Sequence, residues 1–248
     1  IYIPSKRVAI EINGLYWHSE KFIDKNYHLD KFDLCKEKNI QLIQLFEDTI
    51  IKKPDLVKSF LKSKLGIFEE KINARECEIR NVETKISNDF LDKNHLQGIV
   101  SATNYLGLFY KEELVSLLLL KKINDKIYDL NRFCSKQNYL VRGGFSKLLK
   151  HFTKINKNVE EIITFSDNTY SDGGLYLKNG FEKIKNLPPD YKYLYKGELK
   201  HKFGFRLNNL KKLFPYDNGS ERDITLKNNI FRVYDSGKQK FRLNLNNI

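Results

Sequence analysis

Apolar and polar positions change period several times along the chain, and each change marks an element. From Arg7 to Asn13 they alternate: Val8, Ile10 and Ile12 are apolar, with Ala9, Glu11 and Asn13 between them, until Gly14 breaks the run. That two-residue period predicts a strand. In Asn26 to Ile40, Leu29, Phe32 and Leu34 fall on helical spacing among charges, and Asn39 is placed as a C-cap. Ile40 to Asp48 reads as a second strand, and Pro54 then opens a helix that Gly66 closes. Strand, helix, strand, helix is an α/β unit, and a right-handed crossover sets its two strands parallel and adjacent.

From Lys71 the pattern shifts. KINARECEIRNV alternates like one strand, SNDFLDKNHLQG reads as a helix with Ser87 as N-cap, and ATNYLGLFYKEELVSLLLLKK reads as a hairpin turning at Lys111 to Glu113. A strand in KIYDLNRFCS follows, then a Gly-Gly turn running into a helix in RGGFSKLLKHFTKI, and a strand in EEIITFSD. SDGGLYLKNGF is a short helix closed by Gly180, and YKYLYKG is a strand. Antiparallel strands with helices inserted predict an α+β domain over 69–196, after a first domain at 1–67. The tail, 197–248, is basic and aromatic and ends in a hairpin expected to turn at Ser236-Gly237.

Composition narrows the class. The chain has 248 residues, 41% of them hydrophobic, with 13 glycines and 5 prolines, which suits folded domains rather than disorder. The longest apolar run, Leu114 to Leu120, is far short of a membrane span, and no signal-peptide pattern opens the chain. A soluble protein with no membrane partner is therefore expected; the oligomeric state is not legible. Cys35, Cys77 and Cys134 are spaced for neither a zinc knuckle nor a disulfide framework, so free thiols are expected. The sequence opens at Ile1 without any methionine, and its natural start is expected upstream. Net charge is +13, and residues 191–248 carry 13 Lys/Arg against 5 Asp/Glu, the balance of a phosphate-binding surface.

The opening stretch carries candidate chemistry. Glu11 lies mid-strand on the face opposite Val8, Ile10 and Ile12, and Glu47 and Asp48 come at the end of the neighbouring strand. Carboxylates converging at strand ends can hold a divalent metal against a phosphodiester, and His18 and His28 can move protons near neutral pH. A glutamate on a solvated strand face is the alternative. YIPSKRVAIEINGLYWHSE and YHLDKFDLCKEKNIQLIQLFED resemble the nuclease core of phage-type homing endonucleases related to the very-short-patch repair endonuclease, a branch of the PD-(D/E)xK superfamily. The resemblance implies that Glu11 binds Mg²⁺, together with an acid expected before Ile1. It places Asn13 where Asp or Asn is common, His18 as a proton-transfer group and Glu47 near the metal. The superfamily lysine is absent at Asn13. Trp17 is read as packing.

YDLNRFCSKQNYLVRGGFSKLLKHF and EEIITFSDNTYSDGGLYLKNGFEKI resemble the GNAT acetyltransferase fold, including phage relatives that modify nucleobases. Arg142, Gly143, Gly144 and Ser146, at a helix start, would receive the pyrophosphate of an acyl-CoA. Tyr176 stands where such enzymes often keep a general acid. The usual Arg/Gln-x-x-Gly-x-Gly/Ala pattern is not matched. Acyl transfer, DNA binding without chemistry and inert scaffolding all remain open for this domain. In the tail, Lys200, Lys202, Arg206, Lys211 and Lys212 alternate with Phe203, Phe205 and Phe214, as contacts to double-stranded DNA would. A second surface is Arg232, Lys238 and Arg242. The resulting expectation is an α/β restriction-endonuclease-like core, N-terminally incomplete, with a GNAT-like α+β domain and a basic DNA-binding tail. It would act as a Mg²⁺-dependent homing endonuclease in the cytoplasm of a bacterial or phage-infected cell. The alternatives are an acyl-CoA-dependent transferase acting on a nucleobase and a DNA-binding remnant.

Overall fold

Alternation at Val8–Asn13 and a second apolar run at Gln41–Phe46 do form paired strands in the computed structural model, which describes residues 1–246. The chain divides into two compact units, each assembled from segments distant in sequence. The first takes Ile1–Lys52, Asp167–Asp172 and Asn186–Lys238, and the second Lys53–Ser166, Gly173–Lys185 and Gln239–Ile248. The linear division at 67 and 196 therefore does not coincide with the compact units.

In the first unit, β1 (Tyr2–Ile3), β2 (Val8–Asn13) and β3 (Gln41–Phe46) form a sheet in that order, with α1 (Tyr27–Glu37) as the crossover. As expected, β2 and β3 are parallel, in register from Val8↔Gln41 to Asn13↔Phe46. Glu47 and Asp48 do not end the strand; they begin α2 (Glu47–Lys52), where acidic side chains favour a helix N-terminus.

The second unit opens with α3 (Pro54–Leu65), which has Pro at its first turn and ends at Gly66 in the left-handed region. KINARECEIRNV is not one strand. β4 (Glu70–Asn73) and β5 (Glu78–Asn81) are separated by a 3-10 turn, because they pair with different partners in different sheets. α4 (Thr84–Asn94) begins three residues before Ser87, which is buried inside the helix rather than capping it. β6 (Asn104–Tyr110) and β7 (Glu113–Lys122) form the expected hairpin, and Lys111 and Glu112 take φ of 48° and 68° at its turn. β8 (Ile127–Ser135), β9 (Tyr139–Arg142), α5 (Gly144–Ile155), β10 (Glu161–Asp167), α6 (Gly174–Leu177) and β11 (Glu182–Leu187) follow.

The chain then returns to the first unit as β12 (Tyr191–Tyr195), β13 (Glu198–His201), α7 (Leu207–Leu213), α8 (Glu221–Lys227) and β14 (Phe231–Tyr234). A capping box at Ser220 and Asp223 starts α8. β15 (Lys238–Asn244) ends the described structure in the second unit, apart from its first residue. The tail hairpin expected at Ser236-Gly237 is absent. β14 pairs with β12, whereas β15 lies between β11 and β10 in a seven-stranded sheet. Gly237, at φ 72°, is where they diverge; a Cβ there would sit 2.5 Å from the Leu187 carbonyl oxygen.

That sheet runs β11-β15-β10-β8-β7-β6-β5. The uninterrupted run Leu117–Leu120 belongs to a strand covered on both faces. Leu118 and Leu120 pack with Phe145, Leu148 and Phe152 of α5, and Leu117 and Leu119 with Leu91 of α4.

One buried amide organises the first unit. Gln44, fully enclosed on β3, donates from Nε2 to the His28 carbonyl at 2.9 Å and accepts at Oε1 from the Ser236 hydroxyl at 3.0 Å. Its backbone N–H bonds the Thr169 carbonyl at 2.9 Å. Replacing it by leucine leaves two buried groups unsatisfied. Gln44→Leu should lower stability by about 2–4 kcal/mol, read by chemical denaturation, and an unchanged midpoint would refute the central role of this amide. Burial pushes the His28 imidazole down to about 4, with the neighbouring His18 charge acting the same way. Folding therefore disfavours its proton: the stabilisation is complete above about pH 6.5 and is lost as pH falls toward 4. Between those limits the slope of stability against pH should be flatter in His28→Gln by up to about one proton; parallel curves would exclude it.

Candidate active site

The residues singled out at the start of the chain do come together, but not as a metal centre. Oε1 of Glu11 is ion-paired to Lys31 of α1, and its Oε2 is buried without a hydrogen-bond partner. Asn13 is fully buried with neither amide atom partnered. His18 stacks on His28 with ring centroids 5.1 Å apart and planes at 20°, and His18 Nδ1 and both His28 nitrogens are buried without a hydrogen-bond partner. Burial lowers the His18 pKa, opposed by Glu11 and reinforced by Lys31. Glu47 is engaged with backbone instead, since its Oε1 accepts the Leu15 N–H at 3.1 Å and so holds the turn that carries His18. Among the described residues, no group of three or more His, Cys, Asp or Glu side chains is placed to hold a metal ion. Trp17, read as packing, is 65% exposed in an edge-to-face group with Tyr16 and Phe22.

Lys200 is ion-paired with Glu198 and Lys202 with Asp190. Arg206 lies over the exposed Phe203 ring at 4.4 Å, while Lys211 and Lys212 are exposed in the last turn of α7. Of the phenylalanines expected to alternate with them, Phe205 is core.

In the second unit the site is made by two strands that part. β8 and β10 are parallel and in register only from Ile127↔Glu161 to Leu130↔Thr164, yet β8 continues to Ser135 and β10 to Asp167. A crevice outside the carboxyl ends of parallel strands is where α/β sheets accept ligands. The parting coincides with a bulge: Leu119 faces Arg132 and Leu120 faces Leu130, leaving Asn131 as the extra residue. Thr164 Oγ1 donates to the Leu130 carbonyl at 2.9 Å, and the Tyr176 hydroxyl is hydrogen-bonded to Thr164. Burial raises the Tyr176 pKa, so its proton stays on through neutral pH. The Tyr176 ring packs on Phe145, Phe181 and Phe241.

At the head of α5, Gly143 is the N-cap at φ 75°, with no side-chain cap, and Gly144 is the first helical residue. Lys147 N–H bonds back to the Gly143 carbonyl at 2.9 Å, so the Phe145 and Ser146 amides before it have no acceptor within the helix. The Ser146 hydroxyl is turned to Asn179 Oδ1 at 2.5 Å, and Arg142 ends β9 with its side chain exposed. His95, after α4, is pushed down to about 3 by burial and then by the Arg132 and Lys53 charges; its Nδ1 accepts the Gln97 N–H at 3.1 Å. The parting of β8 from β10, and the positions of Asp129, Asn131 and Phe165 beside it, had no signal in the sequence.

No family model matches the chain, and no curated protein matches it. Among solved structures it is similar to the PaiA N-acetyltransferase of Thermoplasma acidophilum in complex with coenzyme A, at 29% identity and a TM-score of 0.30 over 32% of this chain. The chain spans about half, 52%, of that enzyme's length. A GNAT family acetyltransferase of Elizabethkingia anophelis with acetyl-CoA bound is 14% identical over 68% of this chain and 99% of its own, at a TM-score of 0.38. An acetyltransferase of Bacillus subtilis in complex with CoA is 15% identical over the same shares, at 0.41. The expectation of a Mg²⁺-dependent endodeoxyribonuclease of homing type is corrected: the neighbours found are acetyltransferases, and among the described residues no group of three or more His, Cys, Asp or Glu side chains is placed to hold its metal. The side chains read as its metal site are ion-paired, stacked or engaged with backbone. The architecture of the chain itself is mixed α/β.

Proposed function

We propose that the second unit is an acyl-CoA-dependent acyltransferase. The parting of β8 from β10 beyond Leu130 and Thr164 carries this reading. An extended chain bearing amides, such as the pantetheine arm of coenzyme A, can bind the strand edge that β8 turns toward the crevice over Asn131–Ser135, as an added strand would. The amides of Phe145 and Ser146, in a first turn that no side chain caps, suit a pyrophosphate, with the helix dipole assisting. The approach is open, since a Cβ added at Gly143 would find its nearest neighbour, Ala74 Cβ, at 3.9 Å. Arg142 adds a cation at the same end. Overall this unit carries 25 Lys/Arg against 15 Asp/Glu, a balance suited to a strongly anionic cofactor.

Bound there, acyl-CoA would supply an acyl group activated as a thioester. Tyr176 holds the proton that a departing thiolate needs, at a hydroxyl fixed by Thr164 where the strands separate. The surrounding phenylalanines keep that hydroxyl out of water, which holds its proton in place.

Isothermal titration with acetyl-CoA tests the reading. Gly143→Asp places a carboxylate at the helix head, and Gly143→Asn places its neutral isostere there; both residues tolerate positive φ better than most. Affinity should fall tenfold or more in the aspartate variant and much less in the asparagine variant. Equal affinities in the two variants, or no binding by the parent protein, would refute the site.

A further inference from the structure

The turn that carries Tyr176 is too small to hold itself. α6 is four residues long, with the left-handed Gly173 as its N-cap and Gly180, at φ 84°, closing the turn behind it. A single helical turn between glycines has little stability of its own, so lateral contacts set its place. The Tyr176 ring and hydroxyl have theirs, in the phenylalanines around it and in Thr164. The backbone end is held by Asn179. Its N–H donates to the Tyr176 carbonyl at 2.9 Å and its Nδ2 to the Leu175 carbonyl at 2.8 Å, which leaves Oδ1 to accept from the Ser146 hydroxyl at 2.5 Å. The reverse orientation of this amide would set its oxygen against the Leu175 carbonyl, so its partners fix it.

Ser146 belongs to the first turn of α5, a helix of twelve residues anchored in the core by Phe145, Leu148 and Phe152. Neighbouring residues of that turn therefore grip α6 at two points, Phe145 against the Tyr176 ring, with centroids 5.9 Å apart, and Ser146 through Asn179. A serine hydroxyl carries one proton. Once that proton is donated to Asn179, none remains for a phosphate oxygen, which only accepts. The donor that Ser146 offers a cofactor is its backbone N–H, which has no acceptor within the helix.

We propose that Ser146 and Asn179 are positioning residues for Tyr176, and that the Ser146 hydroxyl serves the turn of that tyrosine and not the pyrophosphate of the cofactor. The role of Tyr176 as an acid rests on the acyl-transfer reading; the fixing of its turn does not. Loss of either side chain frees the end of α6, lets the ring tilt away from Thr164 and admits water to the hydroxyl. Its alignment on the departing sulfur is then lost, and small displacements of that kind slow a transfer step.

Fluorine NMR of protein labelled with 3-fluorotyrosine, with the Tyr176 resonance assigned by its loss in Tyr176→Phe, reads that hydroxyl without a cofactor. In the parent it should titrate above free 3-fluorotyrosine, because burial disfavours the phenolate. Ser146→Ala and Asn179→Ala should both bring the midpoint down toward the free value, and Ser146→Thr, which keeps a hydroxyl, should restore it. Midpoints unchanged in both alanine variants would overturn the proposal. By calorimetry, Ser146→Ala, which keeps the backbone N–H, should bind acetyl-CoA like the parent. A loss of about tenfold, the effect of removing a charge-assisted bond to phosphate, would overturn the division of roles. Hydroxylamine serves as a small acceptor: its nitrogen attacks the thioester carbon, the C–S bond breaks, Tyr176 gives a proton to the sulfur, and the nitrogen sheds one to solvent, leaving a hydroxamate and the CoA thiol. Release of that thiol at saturating acetyl-CoA should fall about tenfold in both alanine variants with KM for acetyl-CoA unchanged; rates equal to the parent's would overturn the role in transfer. A parent that binds no acetyl-CoA, or releases no thiol from it, defeats the acyltransferase reading alone, and the Tyr176 midpoint then decides by itself whether Ser146 and Asn179 fix the turn.

Discussion

A single extra residue in β8 sets the geometry of the second unit. Strand side chains alternate between faces, so Leu130 and Phe133, three apart, cannot both enter one core unless the alternation slips. The bulge at Asn131 provides that slip and puts both residues in the cluster beneath α5. It also falls where β8 and β10 stop pairing, so packing on one face and an open crevice at the strand ends arise at the same place. Asp129, Asn131 and Arg132 are left on the opposite face. A strand continuing in flat register would instead turn Arg132 into the core beneath α5 and Phe133 out of it.

The first unit depends on hydrogen bonds among distant segments more than on the size of its core. Gln44 is bonded to His28, Thr169 and Ser236, and Asn168 Nδ2 adds a bond to the Ser236 carbonyl at 3.0 Å. Glu20 plays a similar role, accepting at Oε1 from the Arg232 N–H at 2.7 Å and from the Arg222 guanidinium at 2.5 Å. Such bonds are worth little each in water and much more once enclosed, where an unmet partner is costly. They explain how 167–172 and 186–238 join a unit that begins at Ile1.

The cationic excess falls differently along the sequence and between the compact units. By sequence, the excess cations gather after residue 191. By unit, the first carries 19 Lys/Arg against 16 Asp/Glu, and most of the excess belongs to the second. Ion pairs with Asp190 and Glu198 engage part of the tail's basic stretch, leaving Lys211 and Lys212 exposed on α7.

Local period and turn chemistry alone determined the strands at Val8–Asn13 and Gln41–Phe46, the Pro54 and Gly66 ends of α3, the β6–β7 hairpin, and the Gly-Gly start of α5. These depend on neighbours within about one turn or one strand, which a sequence records. Only the tertiary structure decided what Glu11 faces, because Lys31, twenty residues on, reaches it from the crossover helix. It also decided that Ser236-Gly237 separates two sheets instead of closing a hairpin, and that β8 and β10 part after Leu130. A carboxylate becomes a metal ligand, an ion-pair partner or an N–H acceptor according to the groups that long-range folding brings beside it, and their distance in sequence leaves no local pattern to read.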